Sequence, residues 1–151
     1  MAQQEKIVRI GGASGFWGDS MVGAPQLVNS GQIDYLVFDY LAETTMAILA
    51  AAHSKKPELG YATDFVDIAM KAVLPEVMRR GIKVVANAGG INPQGCADAL
   101  KALADRLGLA PRIAVVLGDD ISAQMPRLRE QGTCDMFTGD ELPEKIISAN
   151  A

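Results

Sequence analysis

Four short apolar runs, each ending in glycine, amide or carboxylate residues, constrain the fold of this chain more than any other feature. They lie at residues 7–10, 34–43, 82–86 and 113–117. The run at 34–43 places Asp39 and Glu43 where a strand-like stretch gives way to a helical pattern. In an open α/β sheet, ligands bind beyond the carboxyl ends of the strands. We therefore predict one crevice at these four ends.

Strand-like and helical patterns alternate along the chain, with glycine at most helix ends, which favours parallel βαβ units. The predicted fold is α/β: a single three-layer domain with a mainly parallel sheet of about five strands and helices on both faces. The strands are predicted at residues 6–10, 35–40, 82–86, 112–117 and 135–138. The helices are predicted at residues 24–30, 41–53, about 65–80, 93–107, 122–131 and from 142 onward. Thr63 or Asp64 should cap the third helix, and Pro75 should kink or divide it.

Composition excludes several classes of protein. The longest apolar runs are far too short to span a membrane, and no apolar signal core follows the polar first residues, so we expect a cytoplasmic protein. A net charge of −4 with only 5% aromatic residues argues against nucleic acid as a partner. Cys96 and Cys134 are isolated and His53 is the only histidine, which excludes a structural zinc site.

Asp39, Glu43 and Asn87 are the candidate catalytic residues. The two carboxylates stand four residues apart across a strand-to-helix junction, where one can act as acid and the other as base. Asn87 follows the third strand and can donate hydrogen bonds to a carbonyl oxygen. Helix capping and the helix dipole explain Asp39 and Glu43 as well, and the two explanations stay open.

The segments after the first and third strands supply the candidate ligand-binding residues. Trp17, the only tryptophan, either packs its glycine loop onto the core or contacts a ligand directly. Asp19 with Asp39 and Glu43 offers oxygen ligands to a divalent cation, but acidic clusters are more often solvated, and we predict no metal site. Asn92 before Pro93 fits a helix cap better than a ligand contact. The predicted ligand-binding residues are Ser14, Gly15, Trp17, Asp19, Gly89, Gly90 and Asn92.

The glycine segment at residues 11–15 also invites comparison with NAD(P)-binding Rossmann domains. Asp39 ends the next strand, about where a ribose-binding carboxylate is expected. With Gly11 and Gly15 aligned to that fingerprint, however, Trp17 occupies the position of the third glycine, and no helix starts directly after the loop. No tyrosine lies beyond Tyr61 to form a Tyr-x-x-x-Lys pair. We therefore expect NAD(P) not to bind tightly, while a Rossmann-type oxidoreductase remains an alternative.

Five ordered motifs carry a resemblance to a known family. They are GFWGD at residues 15–19, DYLVFDYLAE at 34–43, TM at 45–46, GYATDF at 60–65 and NAGGINP at 87–93. Together, over roughly residues 6–120, they resemble the acyclic terpene utilisation (AtuA-like) family. Members of that family are much longer, so the resemblance implies that this chain is the N-terminal part of a larger protein.

The resemblance implies a catabolic role in the breakdown of acyclic terpenes of the citronellol and geraniol type. The substrate would be a terpenoid or branched acyl-CoA thioester, handled by lyase, hydratase or hydrolase chemistry, while any other cofactor is unknown. Asp39 and Glu43 would do the acid/base work, Asn87 and the glycine loops would orient the carbonyl, and Trp17 would cover the site. The competing class is a non-catalytic assembly or binding subunit. We expect a homo-oligomer, or completion by a C-terminal portion or partner chain.

Overall fold

The computed structural model describes residues 7–151, which form two compact units. The first unit ends at Val115 and the second comprises Val116–Ala151. Lys6, where the first strand was predicted to begin, lies outside the described residues. No helix in the described range is both long and apolar enough to cross a membrane.

A parallel sheet of three strands organises the first unit. The strands are β1 (Ile10–Ser14), β2 (Tyr35–Phe38) and β3 (Lys83–Ala86), in the order β1-β2-β3. Both strand pairs are parallel. The α/β class and the parallel sheet are thus confirmed, but the predicted number of about five strands is wrong. Parallel pairing brings the three carboxyl ends to one edge of the sheet.

Four α-helices accompany the sheet. They are α1 (Gly23–Ser30), α2 (Glu43–Lys55), α3 (Lys71–Arg80) and α4 (Pro93–Arg106). The helix ends follow the expected local chemistry. Gly31 ends α1 with a φ of 69°, a conformation that favours glycine. Asn92 caps α4 by accepting a hydrogen bond from the backbone N–H of Gly95 at 2.9 Å, with Pro93 in the first turn.

One face of the sheet carries the hydrophobic core. Leu36 and Phe38 are at most 3% exposed and belong, with Ala13, to a single cluster that also contains Val28 of α1 and Val73 of α3. On the opposite face the side chains of Ile10 and Val85 are 67% and 55% exposed. The burial on both faces that was expected for the sheet is therefore not seen in β1 and β3.

The first strand begins later than predicted, and two of the glycines lie inside it. Gly11 and Gly12 belong to β1, so the glycine loop is confined to residues 15–22. A Cβ at Gly11 would lie 3.1 Å from a methyl carbon of Leu27 and 3.1 Å from one of Ile33. Glycine in this strand therefore allows the following helix to pack closely on the sheet.

The helix that carries Pro75 is irregular before the proline. A π-helical turn at Phe65–Met70 runs directly into α3, and α3 continues through Pro75. The predicted division at Pro75 is therefore wrong, since the change of helix type falls at residues 70–71. Such π-turns are rare and occur frequently at functional sites.

The second unit contains little regular structure. A 3₁₀ turn at Ser122–Gln124 leads into α5 (Met125–Glu130), in agreement with a short helix at 122–131. Pro126 lies in the first turn of α5, where its missing N–H costs nothing.

Two predicted strands and one predicted helix are wrong. Residues 112–117 form no strand, and the side chain of Val116 is 90% exposed. Residues 135–138 form a turn, because the Asp135 carboxylate accepts the backbone N–H groups of Phe137 and Thr138 at 2.8 Å each. Residues 142–151 form no helix. There, the Arg129 guanidinium binds the carbonyl oxygens of Pro143 and Glu144, which a first helical turn would use.

Candidate functional site

Residues 15–22 form the loop that leads from β1 to α1. Within it the carboxylate of Asp19 accepts a hydrogen bond from the backbone N–H of Gly15 at 2.9 Å. The Ser20 hydroxyl accepts one from the backbone N–H of Gly23 at 3.1 Å, at the start of α1. The two side chains thus fold the loop back on itself beside the end of β1.

Trp17 attaches this loop to two other segments. Its indole N–H donates to Oδ1 of Asp64 at 2.5 Å, and its backbone N–H donates to the carbonyl oxygen of Tyr40 at 3.2 Å. Trp17 also packs against the hydrophobic core, as the lid interpretation expected. Thr63 or Asp64 was predicted as a helix cap, but Asp64 makes no capping hydrogen bond. Its carboxylate is oriented by Trp17 instead.

Tyr40 is the most deeply buried polar side chain next to this loop, with only 4% of its surface exposed. Burial and the negative charges of Asp64 and Asp19 raise the pKa of Tyr40 to about 12. The nearby Ser14 hydroxyl acts in the opposite direction, although its buried oxygen makes no hydrogen bond of ordinary geometry with the described residues. At neutral pH the Tyr40 phenol therefore stays protonated and can donate a hydrogen bond.

A pocket of about 210 Å³ opens beside Tyr40. Two of its lining side chains are carboxylates, Asp19 and Asp64, and the apolar part of its wall comes from the loop and from the π-helical turn. The lining residues are Gly18, Asp19, Ser20, Met21, Tyr40, Asp64, Ile68 and Ala69. The pocket thus combines a buried phenol, two carboxylates and an apolar wall, which is a setting for acid/base chemistry on an apolar ligand.

Asp39 and Asn87 are brought together directly. Nδ2 of Asn87 donates to Oδ1 of Asp39 at 2.7 Å, and Oδ1 of Asn87 accepts the backbone N–H of Tyr40 at 2.7 Å. Both side chains are exposed, and neither is among the residues that line the pocket. Asn87 therefore orients Asp39 and connects the ends of β2 and β3.

The remaining predicted site residues lie in structural positions. Glu43 is exposed in the first turn of α2. Gly90 has a φ of 52°, and a Cβ there would lie 2.7 Å from the carbonyl oxygen of Gly60. A Cβ at Gly89 would lie 2.8 Å from Cα of Pro93. Asn92 caps α4 as predicted. Close packing thus explains Gly89 and Gly90, helix capping explains Asn92, and the ligand contacts of all three stay a prediction.

Sequence reasoning missed Tyr40, Asp64, Met21 and Ile68 as site residues. Tyr40 had a usable signal, because it stands two residues after Phe38 and continues the inward-facing alternation of β2. Asp64 had a competing explanation as a helix cap. Nothing in the sequence pairs Asp64 with Trp17, which is 47 residues away.

Other candidate groups do not add to this site. Among residues 7–151, no group of three or more His, Cys, Asp or Glu side chains is arranged to hold a metal ion. Cys96 is buried in the core, and burial raises the pKa of its thiol to about 11. A larger cavity of about 660 Å³ lies within the second unit. Its lining includes none of the predicted site residues.

Comparison with known proteins gives one result. A family model described as acyclic terpene utilisation family protein AtuA matches residues 8–151. No match is found among curated proteins or among solved structures.

Proposed function

The chain belongs to the acyclic terpene utilisation family, and from this premise we propose that it acts on a terpenoid or branched acyl thioester by acid/base chemistry. The observation that carries the proposal is the buried phenol of Tyr40, placed in one pocket with the carboxylate of Asp64. A hydrogen-bond donor and a base that flank the same space are the two groups that proton abstraction next to a carbonyl requires.

In this proposal Tyr40 donates a hydrogen bond to the carbonyl oxygen of the substrate. Its pKa of about 12 keeps the proton on the phenol, so it can stabilise negative charge that develops on that oxygen. Asp64 removes the proton from the adjacent carbon. The indole of Trp17 binds one oxygen of the Asp64 carboxylate at 2.5 Å, which leaves the other oxygen to act as the base.

Two further carboxylates are alternatives for the base. Asp19 also lines the pocket, but it is exposed and one of its oxygens binds the backbone of Gly15. Asp39, the residue favoured from sequence, has one oxygen oriented by Asn87 and lies exposed beside the end of β2. We favour Asp64 because it is partly buried, lines the pocket together with Tyr40, and has one oxygen held by the Trp17 indole N–H. The catalytic roles of Asp39, Glu43 and Asn87 stay predictions.

The nicotinamide alternative is less well supported. In dinucleotide-binding folds the glycine turn leads directly into a helix whose N-terminus binds the pyrophosphate. Here an eight-residue loop separates β1 from α1, and Trp17 in that loop is hydrogen-bonded across to Asp64. The direct turn from strand to helix that binds a pyrophosphate in those folds is therefore not formed between β1 and α1.

The proposal is tested by solvent exchange. A methyl-branched acyl thioester with a saturated carbon next to the carbonyl is incubated with the protein in D₂O, and deuterium at that carbon is followed by mass spectrometry. We expect incorporation with the wild type and a loss of roughly 10²–10³-fold in rate with Tyr40→Phe, the usual effect of removing one such donor. Tyr35→Phe is the matched control, because its hydroxyl contacts Lys83 and does not line the pocket. No exchange above the protein-free rate would contradict the proposal.

A non-catalytic assembly or binding subunit is the second candidate. The observation in its favour is the exposed face of the sheet, where the side chains of Ile10 and Val85 are 67% and 55% exposed. Exposed apolar patches of this kind often mark interaction sites. A subunit of this class would give no solvent exchange in the assay above.

A further inference from the structure

The charges of the pocket beside Tyr40 constrain which ligand can enter it. Two carboxylates, Asp19 and Asp64, line the pocket, and its lining includes no lysine, arginine or histidine. Asp64 is partly buried, so its charge is less screened by solvent than that of an exposed residue. An anionic group brought next to Tyr40 would therefore meet repulsion that none of the lining residues in the described part of the chain offsets.

The size of the pocket and the apolar residues at its border indicate which part of a ligand lies inside it and which part lies outside. Its volume of about 210 Å³ is below the roughly 300–1,000 Å³ of most ligand pockets, so it suits a head group better than a whole terpenoid chain. The loop at its border carries three exposed apolar side chains, Phe16, Met21 and Val22, each at least 59% exposed. Hydrocarbon outside the pocket can bury these side chains, which favours binding.

We propose that this pocket accepts an uncharged oxygen-bearing head group, namely an alcohol, aldehyde or thioester of a branched hydrocarbon, and excludes the free carboxylate. The inference rests on the proposed function for its hydrocarbon class and adds the charge state that the site accepts. The Tyr40 hydroxyl accommodates the neutral oxygen of any of these head groups. Asp64 and Asp19 supply the discrimination, since a carboxylate head group would add a third negative charge to the same space.

The consequence concerns the order of reactions. A free acid formed from the same hydrocarbon would have to be converted to a thioester by an acyl-activating reaction before it enters this pocket. A neutral alcohol or aldehyde needs no such activation.

Four five-carbon probes that differ in head group test the inference: prenol, prenal, prenylamine and the free acid senecioate. Trp17 is the only tryptophan and contacts Asp64 directly, so its fluorescence reports binding to the full chain. We expect prenol and prenal to bind, and senecioate to bind roughly tenfold or more weakly. Prenylamine should bind at least as tightly as prenol, because the two carboxylates attract its ammonium group. That result would show that charge rather than size excludes the acid.

The matched variants separate pocket charge from net charge. In Asp19→Asn/Asp64→Asn each asparagine keeps an oxygen for its existing hydrogen-bond donor, and senecioate should then bind within about twofold of prenol, since the repulsion is removed. Asp98→Asn/Asp105→Asn makes the same change in net charge on the exposed surface of α4 and should retain the discrimination. Thermal melts check that each variant is folded. Asp64→Asn alone is a milder variant, which should remove part of the preference for prenol over senecioate.

The inference is overturned if senecioate binds the wild type as tightly as prenol, if no probe binds, or if the α4 variant loses the discrimination equally. These outcomes are distinct from failure of the proposed function. Solvent exchange with equal binding of acid and alcohol would refute only the selectivity. Selective binding without solvent exchange would refute only the catalytic role.

Discussion

Replacing Asp64 with asparagine should lower the rate of solvent exchange by roughly 10²–10⁴-fold, the usual contribution of a positioned general base. Asparagine retains the oxygen that accepts the Trp17 indole N–H, so the loop should stay attached while the basic oxygen is lost. The measurement is the initial rate of deuterium incorporation by Asp64→Asn relative to the wild type, at the same thioester concentration.

Asp39→Asn is the control that decides between the two carboxylates. Asp39 is hydrogen-bonded to Asn87 beside the end of β2 but does not line the pocket. We expect its replacement to leave the exchange rate within a few-fold of the wild type. A full loss of exchange in Asp39→Asn, with normal exchange in Asp64→Asn, would return the base to the residue favoured from sequence and remove Asp64 from the mechanism.

The largest effect on stability is expected for Gly90→Ala. The φ of 52° costs an alanine roughly 1–2 kcal/mol. In addition, the new Cβ would meet a methyl of Leu49 and lie 2.7 Å from the carbonyl oxygen of Gly60. That oxygen accepts the backbone N–H groups of Ile91 and Asn92, so it cannot move without breaking the turn. Overpacking of this kind costs roughly 1–3 kcal/mol, and we expect a total loss of roughly 2–5 kcal/mol in the free energy of unfolding, measured by urea denaturation.

Gly81→Ala isolates the backbone part of this cost. Gly81 has a φ of 68°, but a Cβ built there has nothing within 4 Å. Gly81→Ala should therefore lose only the backbone cost of roughly 1–2 kcal/mol. If Gly90→Ala and Gly81→Ala lose equal stability, the close packing of Gly90 against Leu49 and the Gly60 carbonyl oxygen does not contribute to the free energy of unfolding.

The sequence predicted best those features that neighbouring residues determine. The end of α1 at Gly31 depends on the local backbone conformation. The cap of α4 depends on the Asn92 side chain, which binds a backbone N–H three residues further along the chain. The stretch at residues 35–38 is apolar enough to identify β2 wherever its neighbours lie. These local signals also placed Asp39 and Asn87 at adjacent strand ends, where the two side chains are hydrogen-bonded.

Pairing over long distances in the chain explains the errors. The run at residues 112–117 has the composition of a strand, but a strand also needs a neighbour to satisfy its backbone groups, and composition does not specify one. The turn at residues 135–138 depends on the side chain of Asp135 binding two backbone N–H groups. These two hydrogen bonds compete with strand formation, and the pattern of apolar residues does not predict them.

The site was only partly predictable for the same reason. Trp17 was identified from its unusual position in a glycine loop, and Asp19 from its place beside it. Asp64 was assigned to helix capping because its distant partner Trp17 cannot be read from local sequence. Tyr40 was not predicted as a site residue, because the proximity of its buried phenol to Asp64 and Asp19 depends on contacts between distant segments of the chain.

The infrared frequency of a carbonyl bound at Tyr40 tests most directly whether this phenol binds the substrate. A branched acyl thioester labelled with ¹³C at its carbonyl is bound to the wild type and to Tyr40→Phe, and isotope-edited difference spectra are recorded. We expect a lower carbonyl frequency in the wild type than in solvent, because the phenol donates a hydrogen bond to that oxygen, and we expect Tyr40→Phe to lose this shift. The same carbonyl frequency in both proteins would contradict the assignment of the pocket as the functional site.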